Sequence, residues 1–478
     1  MVSFVQHVYK NWDKYLEGII LVVFIIYRLT AYGVWSDSVS TMDTQSYLNT
    51  ANLSVMTPEF WTAIRSPTYP ILLKILAPVE NYQVTHISIP YEHAEGALLD
   101  QPGFDRVVIF QMWFAIVSWG IFVLTLFRHI NNSWVRLLLS ICILFFAFSP
   151  QISDWDSIIM TESLAFSLFV LICSVIVELT FDLLSKNSNK IKFWILIGSL
   201  VLLSLIWVLL RDTNVYFLVF TVLFLLIGIG SRFIVRKDLR LPIFIGCAFL
   251  IGIFIFQQYT FRNSDRWLVP FYNNVTWNIF PYPSRVDFFK EYGMPTNPEL
   301  LSLRGSAPIE GGEGQADFIE WSKKNGLTVY SRFLLDHPIW AIRSVWENLD
   351  SFFAINLQPY FFEGVYERPN WMIPIANLLH PLSSIPVLLN GLFVLVIMIY
   401  AIKSKSVNAI AWAWILIWFY GISMMLMALG YLGEMRSTIR HVLGGVVPLR
   451  LMIWILFALV SDLLLQTAKP IYHELQEG

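Results

Sequence analysis

Leu16–Tyr47 reads LEGIILVVFIIYRLTAYGVWSDSVSTMDTQSY. The run Leu16–Val34 is close to the about 20 apolar residues that a helix needs to cross a bilayer. It ends in a short loop that carries Asp37 and Asp43. No small-residue cleavage site follows it, and residues of chemical type do, so the run reads as a span rather than a signal peptide. An apolar span closed by carboxylates decides the fold class, because the pattern recurs along the chain.

Nine further apolar runs follow: Val107–Phe127, Val135–Phe148, Ser157–Leu184, Phe193–Leu210, Val215–Gly230, Leu241–Gln258, Ile385–Ile402, Val407–Gly430 and Val442–Leu465. Val135–Phe148 and Val215–Gly230 are short for a straight crossing. The 478 residues are 56% hydrophobic and 14% charged, against roughly 25% charged in a soluble domain. With a mean hydropathy of +0.60, this predicts an all-α polytopic membrane protein with about ten transmembrane helices. A net charge of -2 without a polybasic tail gives no footing for nucleic acid. Cys142, Cys173 and Cys247 all lie inside apolar runs, so neither a disulfide framework nor a zinc site is expected.

Lysine and arginine gather in one set of short loops: Lys10 and Lys14; Arg128 and Arg136; Lys186, Lys190 and Lys192; Arg232, Arg236, Lys237 and Arg240; Lys403 and Lys405; Lys469. Basic loops stay cytoplasmic, so ten spans put both termini in the cytoplasm. Ser153–Ser157, Arg211–Asn214, Tyr431–His441 and the long loops Trp35–Arg106 and Tyr259–Ser384 then face outward. The opposite short connections hold only Arg211, Arg436 and Arg440. The expected organisation is an N-terminal membrane module over 1–258, with its first outer loop at 35–106. A large outer loop over 259–384 and C-terminal membrane helices over 385–478 follow.

Ser66–Leu76 (SPTYPILLKIL) is too short to span and is expected to dip into the bilayer surface. Ile339, Ile342, Trp346, Leu349 and Phe353 recur at helical spacing, which predicts an amphipathic helix lying along the membrane. Gly305–Gly314 (GSAPIEGGEG) reads as a mobile loop.

The outward segments carry the candidate chemistry. Asp43 and Tyr47 share one face of an expected helix over Met42–Leu53. A carboxylate near the bilayer, kept ionised by a cation, suits a general base for an acceptor hydroxyl; the same residue is placed to cap that helix. Asp37 is a second candidate. Ser153 reads as a helix N-cap, and Asp154-Trp-Asp156 is an Asp-x-Asp pattern able to hold a divalent cation such as Mg or Mn through hard oxygens. Glu162 lies inside a span and needs a partner, for which Arg211 is placed. Glu434, Arg436, Arg440 and His441 flank the last span. Arg436 and Arg440 are four apart, and two guanidiniums on one helical face can hold a phosphate by bidentate hydrogen bonds. Lipid-headgroup anchoring is the rival reading.

Together these pieces resemble the GT-C glycosyltransferases, the group that includes protein O-mannosyltransferases and lipid A aminoarabinose transferases. The matching segments are Asp43-x-x-x-Tyr47, Arg65-Ser-Pro-Thr-Tyr69-Pro70, Thr161-Glu162-Ser163, Arg211–Asn214 and Glu434–His441. Gly293-Met-Pro295 and Leu334-Leu-Asp-His337-Pro338 are similar to segments of less described bacterial members. The resemblance implies an acidic base in the first outer loop, carried here to Asp43. Many relatives have Asp-Glu where this chain has Asp43-Thr44, so Asp37 stays beside it. It further implies a polyprenyl-phosphate sugar donor, a glycan or glycolipid acceptor, and an outward-facing site in a bacterial inner membrane. Arginines would meet the phosphate, and Tyr47 and Tyr69 would line the sugar pocket. A polymerase or ligase of lipid-linked oligosaccharides, leaning on arginine and histidine, is the alternative. A lipid-linked sugar transporter ranks lower, since no internal repeat is visible and the ionisable groups gather at one interface.

Overall fold

The computed structural model describes residues 12–30, 38–41, 43–76, 104–185, 189–230, 237–305, 312, 314–354, 357–360, 370–435 and 438–477. Each of the ten apolar runs carries a helix among its described residues: α1 (Trp12–Thr30), α2 (Asp105–His129), α3 (Ser133–Phe148), α4 (Glu162–Leu184), α5 (Lys190–Val208), α6 (Tyr216–Gly230), α7 (Arg240–Arg262), α8 (Ile385–Ser404), α9 (Val407–Gly433) and α10 (Thr438–Glu477). Among the described residues seven are long and apolar enough to cross a membrane. An eighth is reached if α3 and Pro150–Ser157, which meet at a 48° bend, form one span. The chain is therefore an all-α, multi-pass membrane protein.

The shortfall from ten falls on α1 and α6. Helix α6 has 15 residues. Helix α1 carries Asp13, Lys14, Glu17 and Arg28 within its 19 residues, and three of these are turned inward. Asp13 accepts from Arg136 and Ser133, Glu17 from Ser140, and Arg28 pairs with Asp156. Ile19, Val22, Val23 and Ile26 are left exposed on the other side of α1. An ionisable group in such a helix is tolerated when it faces protein and has a partner.

Helix α4 lies at the centre, against α2, α5 and α9, while α10 packs on α9, α8 and α3. Helices α9 and α10 approach through glycines: a Cβ on Gly430 would lie 2.2 Å from the His441 carbonyl oxygen. Without a hydrophobic drive between spans, close backbone contact of this kind holds membrane helices together. It also sets the polar ends of α9 and α10 side by side.

The segment after α7 closes its own aromatic core, from Trp267 to Phe333, over short helices. Side-chain hydrogen bonds, among them those of Asn274, Tyr330 and Arg450, fasten it to the bundle. Asn274 Nδ2 donates to the Leu432 and Gly433 carbonyls, Tyr330 Oη donates to Leu432 O, and buried Arg450 of α10 donates to Phe353 O and Pro381 O.

Two local expectations are corrected. The apolar repeat Ile339–Phe353 is two helices, Pro338–Glu347 and Leu349–Phe353, divided at Asn348. Ile339, Ile342 and Trp346 are 80%, 72% and 58% exposed, whereas Leu349 and Phe353 turn into the core. Ser153 does not cap a helix: its hydroxyl returns to the Phe148 and Ser149 carbonyls. Ser66–Leu76 contains the helix Thr68–Leu76, which buries Tyr69, Pro70 and Leu73 and leaves Ile75 exposed. Of Gly305–Gly314, positions 306–311 and 313 lie outside the described residues, and Gly305 and Gly314 adopt φ of 67° and 76°.

Candidate functional site

The first outer loop is tied to the entrance of α4 by backbone pairing. Val39 and Ile158 form a parallel bridge, with Val39 N donating to Ser157 O at 2.8 Å and Ile159 N donating to Val39 O at 2.9 Å. Thr44 Oγ1 adds a bond to Ile159 O at 3.2 Å. These bonds set Asp43, just before the helix Thr44–Asn52, near Glu162 in the first turn of α4.

Asp43 stands at the N-cap position but makes no capping bond. One carboxylate oxygen accepts from Arg65 Nη2, and the other accepts from Arg440 Nη1 at 2.5 Å. Its side chain is 25% exposed. Burial would raise its pKa, but the guanidiniums of Arg440 and Arg65 outweigh that and hold it at about 2. Arg65 also donates to Ser46 Oγ at 2.6 Å, and its guanidinium sits 4.7 Å from the Tyr47 ring centroid. Arg440 Nη1 donates as well to Tyr360 Oη at 2.8 Å.

Behind this pair lies Glu162. Its Oε1 is 3.6 Å from both Arg440 Nε and Arg211 Nη1, beyond hydrogen-bonding distance. Both Glu162 Oε1 and Arg440 Nε are buried without a hydrogen bond. Polar atoms in that condition are rare in folded proteins. The end of α9 supplies Glu434, which meets His441 Nε2 at 2.9 Å and accepts from Asn273 Nδ2 at 2.9 Å. Burial would raise the Glu434 pKa, yet His441 and Asn273 hold it below the ordinary value.

Asp43, Tyr47, Arg65, Glu162, Arg211, Glu434, Arg440 and His441, all singled out by sequence, line one cavity of about 430 Å³. That volume lies within the span of about 300–1,000 Å³ common for small-molecule sites. Tyr69 does not line it. The ring lies behind Tyr47, 5.1 Å between centroids, and its hydroxyl donates to Gln111 Oε1. Asp37 and Arg436 lie outside the described residues.

Asp154 and Asp156 are buried away from the cavity lining. Asp156 accepts from Arg28 at 2.9 Å and from Ser163 Oγ at 2.5 Å. Among the described residues no three His, Cys, Asp or Glu groups gather as metal ligands. Each carboxylate that lines the arginine side of the cavity already faces a guanidinium or an imidazole. This donor set does not fit a divalent cation. His337 of the other motif packs its ring against Phe333, 4.7 Å between centroids, and is not among the residues that line the cavity.

Sequence reading missed Tyr360, Arg28, Gln257 and Arg266, and it marked Asp212 only as part of the segment Arg211–Asn214. Arg28 carried a signal, a cation inside an apolar span. The others sit in long loops or at span ends, where no spacing marked them.

No family model matches this chain, and no curated protein matches it. Among solved structures it is similar to the archaeal oligosaccharyltransferase AglB from Archaeoglobus fulgidus, in complex with an inhibitory peptide and a dolichol-phosphate. The TM-score is 0.44 at 10% identity, over 98% of this chain and 52% of that one. The chain therefore spans about half the length of that structure.

Proposed function

We propose that this protein transfers one sugar from a polyprenyl-phosphate donor to a hydroxyl of a glycan, glycolipid or similar cell-envelope acceptor. The reaction is placed on the outer face of a bacterial inner membrane, with both termini cytoplasmic. The observation that carries the reading is Asp43, clasped between Arg65 and Arg440 at the rim of a cavity bounded by membrane helices.

In the proposed step the acceptor oxygen bonds to the sugar C1 as the C1–O bond to phosphate breaks. The bonding pair leaves with the phosphate, and the acceptor proton passes to Asp43 and then to water. The phosphodiester leaves as a monoester and gains negative charge. Arginines already in place therefore stabilise the transition state more than the ground state. A phosphate at Arg440 competes with Asp43 for the same guanidinium. Once it replaces that contact, one Asp43 oxygen is free and its pKa rises from about 2 toward 3.8. Donor binding would thus create the base. Attack from the face opposite the leaving phosphate inverts the anomeric centre.

The test is Asp43→Asn in a reconstituted transfer assay. Loss of about 10²–10⁴-fold, the range for a general base, supports the reading, and unchanged transfer would remove Asp43 from that role. The alternative of a polymerase or ligase driven by arginine and histidine has one observation in its favour. A carboxylate with both oxygens engaged and a pKa of about 2 is a weak base as it stands. Full activity after Asp43→Asn together with loss after Arg440→Ala would favour it.

A further inference from the structure

The cavity has a second wall, and its chemistry differs from the arginine side. Arg65 and Ser66 are consecutive, as are Arg211 and Asp212; the first of each pair serves the Asp43–Glu162 cluster and the second serves this wall. Asp212 Oδ1 accepts from Ser66 Oγ at 3.0 Å and Gln257 Nε2 at 2.8 Å, with Arg266 Nη1 3.5 Å away. Arg266 is itself consumed: its nitrogens donate to Ser264 Oγ, Ser66 Oγ and Trp61 O, and its side chain is 4% exposed. Among the described residues that line this wall, no other lysine or arginine is present.

What remains open is a set of uncharged donors and acceptors around one carboxylate oxygen. Among the described residues, Asp212 Oδ2, Thr213 Oγ1, Tyr216 Oη and Gln258 Oε1 take no hydrogen bond, and all four residues line the cavity beside Trp267. A half-committed carboxylate repels a phosphate but accepts strongly from hydroxyls. The amide, hydroxyl and phenol groups can both meet and orient a polyol, and the indole offers an apolar surface for C–H groups.

We infer that this wall binds a neutral pyranose unit, so the cavity has an anionic pole at the arginines and a glycosyl pole at Asp212 and Gln258. The inference rests on the proposed glycosyl transfer for its role, and on the wall alone for its ligand class. The pyranose belongs either to the donor or to the acceptor; the chemistry is the same.

The experiment uses the full-length protein in nanodiscs. Methyl hexopyranosides are the probes, read by saturation-transfer NMR, and sugar-free undecaprenyl phosphate is a separate probe, read by thermal shift. Binding of at least one methyl hexopyranoside is expected, weakened about tenfold by Asp212→Ala or Gln258→Ala, the effect of losing one hydrogen bond. Arg440→Ala should leave it unchanged. Gln258→Ala guards against misfolding, since its side chain holds only Gln257. No glycoside binding to the native protein, or binding indifferent to both substitutions, overturns the inference. Glycoside binding without any response to undecaprenyl phosphate supports the wall while sinking the proposed donor. In the transfer assay, a raised KM for donor alone assigns the pole to the donor sugar, and a raised KM for acceptor alone assigns it to the acceptor. A change in kcat with neither KM moved counts against it.

Discussion

Asp43 and Arg440 lie 397 positions apart in the chain and meet at 2.5 Å, carboxylate to guanidinium, at the edge of the cavity. The contact joins the loop after α1 to the first turn of α10, and Tyr360 from the large outer segment closes on the same nitrogen at 2.8 Å. One guanidinium thus reports on three separate stretches of sequence.

Arg440 is therefore the residue least open to conservative exchange. Its Nη1 serves Asp43 and Tyr360 while its Nε points toward Glu162. A lysine carries the charge on one flexible ammonium and cannot reproduce that fork. Arg440→Ala should lower kcat by about 10²–10³-fold, the loss seen for one preorganised donor, and Arg440→Lys should recover only part of it. Steady-state transfer kinetics decide; a lysine variant with native kcat would reduce the arginine to a point charge.

The low pKa of Asp43 sets an expectation for pH. Its folded value, about 2, lies below the ordinary 3.8. A depressed carboxyl contributes stability that is complete above the unfolded pKa and is lost as pH falls through the folded one. The melting-temperature gap between native protein and Asp43→Asn should therefore be constant from about pH 5 upward and shrink between about pH 4 and 2. A gap that closes near neutrality would mean that the two guanidiniums do not hold this carboxylate.

Helix positions and the polar ends of spans were legible because apolar length and charge placement are local properties. Eight predicted residues converge on one cavity: Glu162, Arg211, Glu434, Arg440 and His441 stood at the ends of spans, and Asp43, Tyr47 and Arg65 stood in motifs of the first outer loop. Partner choice was legible only for Glu162 and Arg211, whose charged atoms lie 3.6 Å apart. Asp156 looked like half of a cation site, and only the fold brings Arg28 to it from α1. Tyr69 sat in the right motif, yet helix Thr68–Leu76 turns its ring inward to Gln111. The split of Ile339–Phe353 escaped notice because the apolar spacing is continuous across Asn348, and the break comes from how Leu349 and Phe353 pack.

The Arg28–Asp156 pair should behave as a structural element. Both side chains are buried, at 6% and 5% exposure. Arg28→Met strands the Asp156 carboxylate and is expected to cost about 3–5 kcal/mol, whereas Arg28→Met with Asp156→Leu should regain most of it. Unfolding midpoints of the two variants in detergent test this. Equal destabilisation in both would show that the pair is not coupled.

Adjacent glycines in α10 give the sharpest check on how α9 and α10 meet. A Cβ on Gly445 would lie 2.3 Å from the Ser423 carbonyl oxygen and 2.5 Å from Met427 N, both backbone atoms of α9 that cannot step aside alone. A Cβ on Gly444 meets nothing within 4 Å. Gly445→Ala must push the two helices apart, and overpacking of this kind costs about 1–3 kcal/mol. Gly444→Ala removes a flexible residue from a helix interior and should be neutral or gain about 0.5–1 kcal/mol. Because Glu434 and His441 sit at the facing ends of these helices, Gly445→Ala should also lower transfer activity, while Gly444→Ala should not. Melting temperatures and activities of the two single variants separate the cases. If both behave alike, the close approach of α9 to α10 is wrong, and with it the spacing that sets His441 against Glu434.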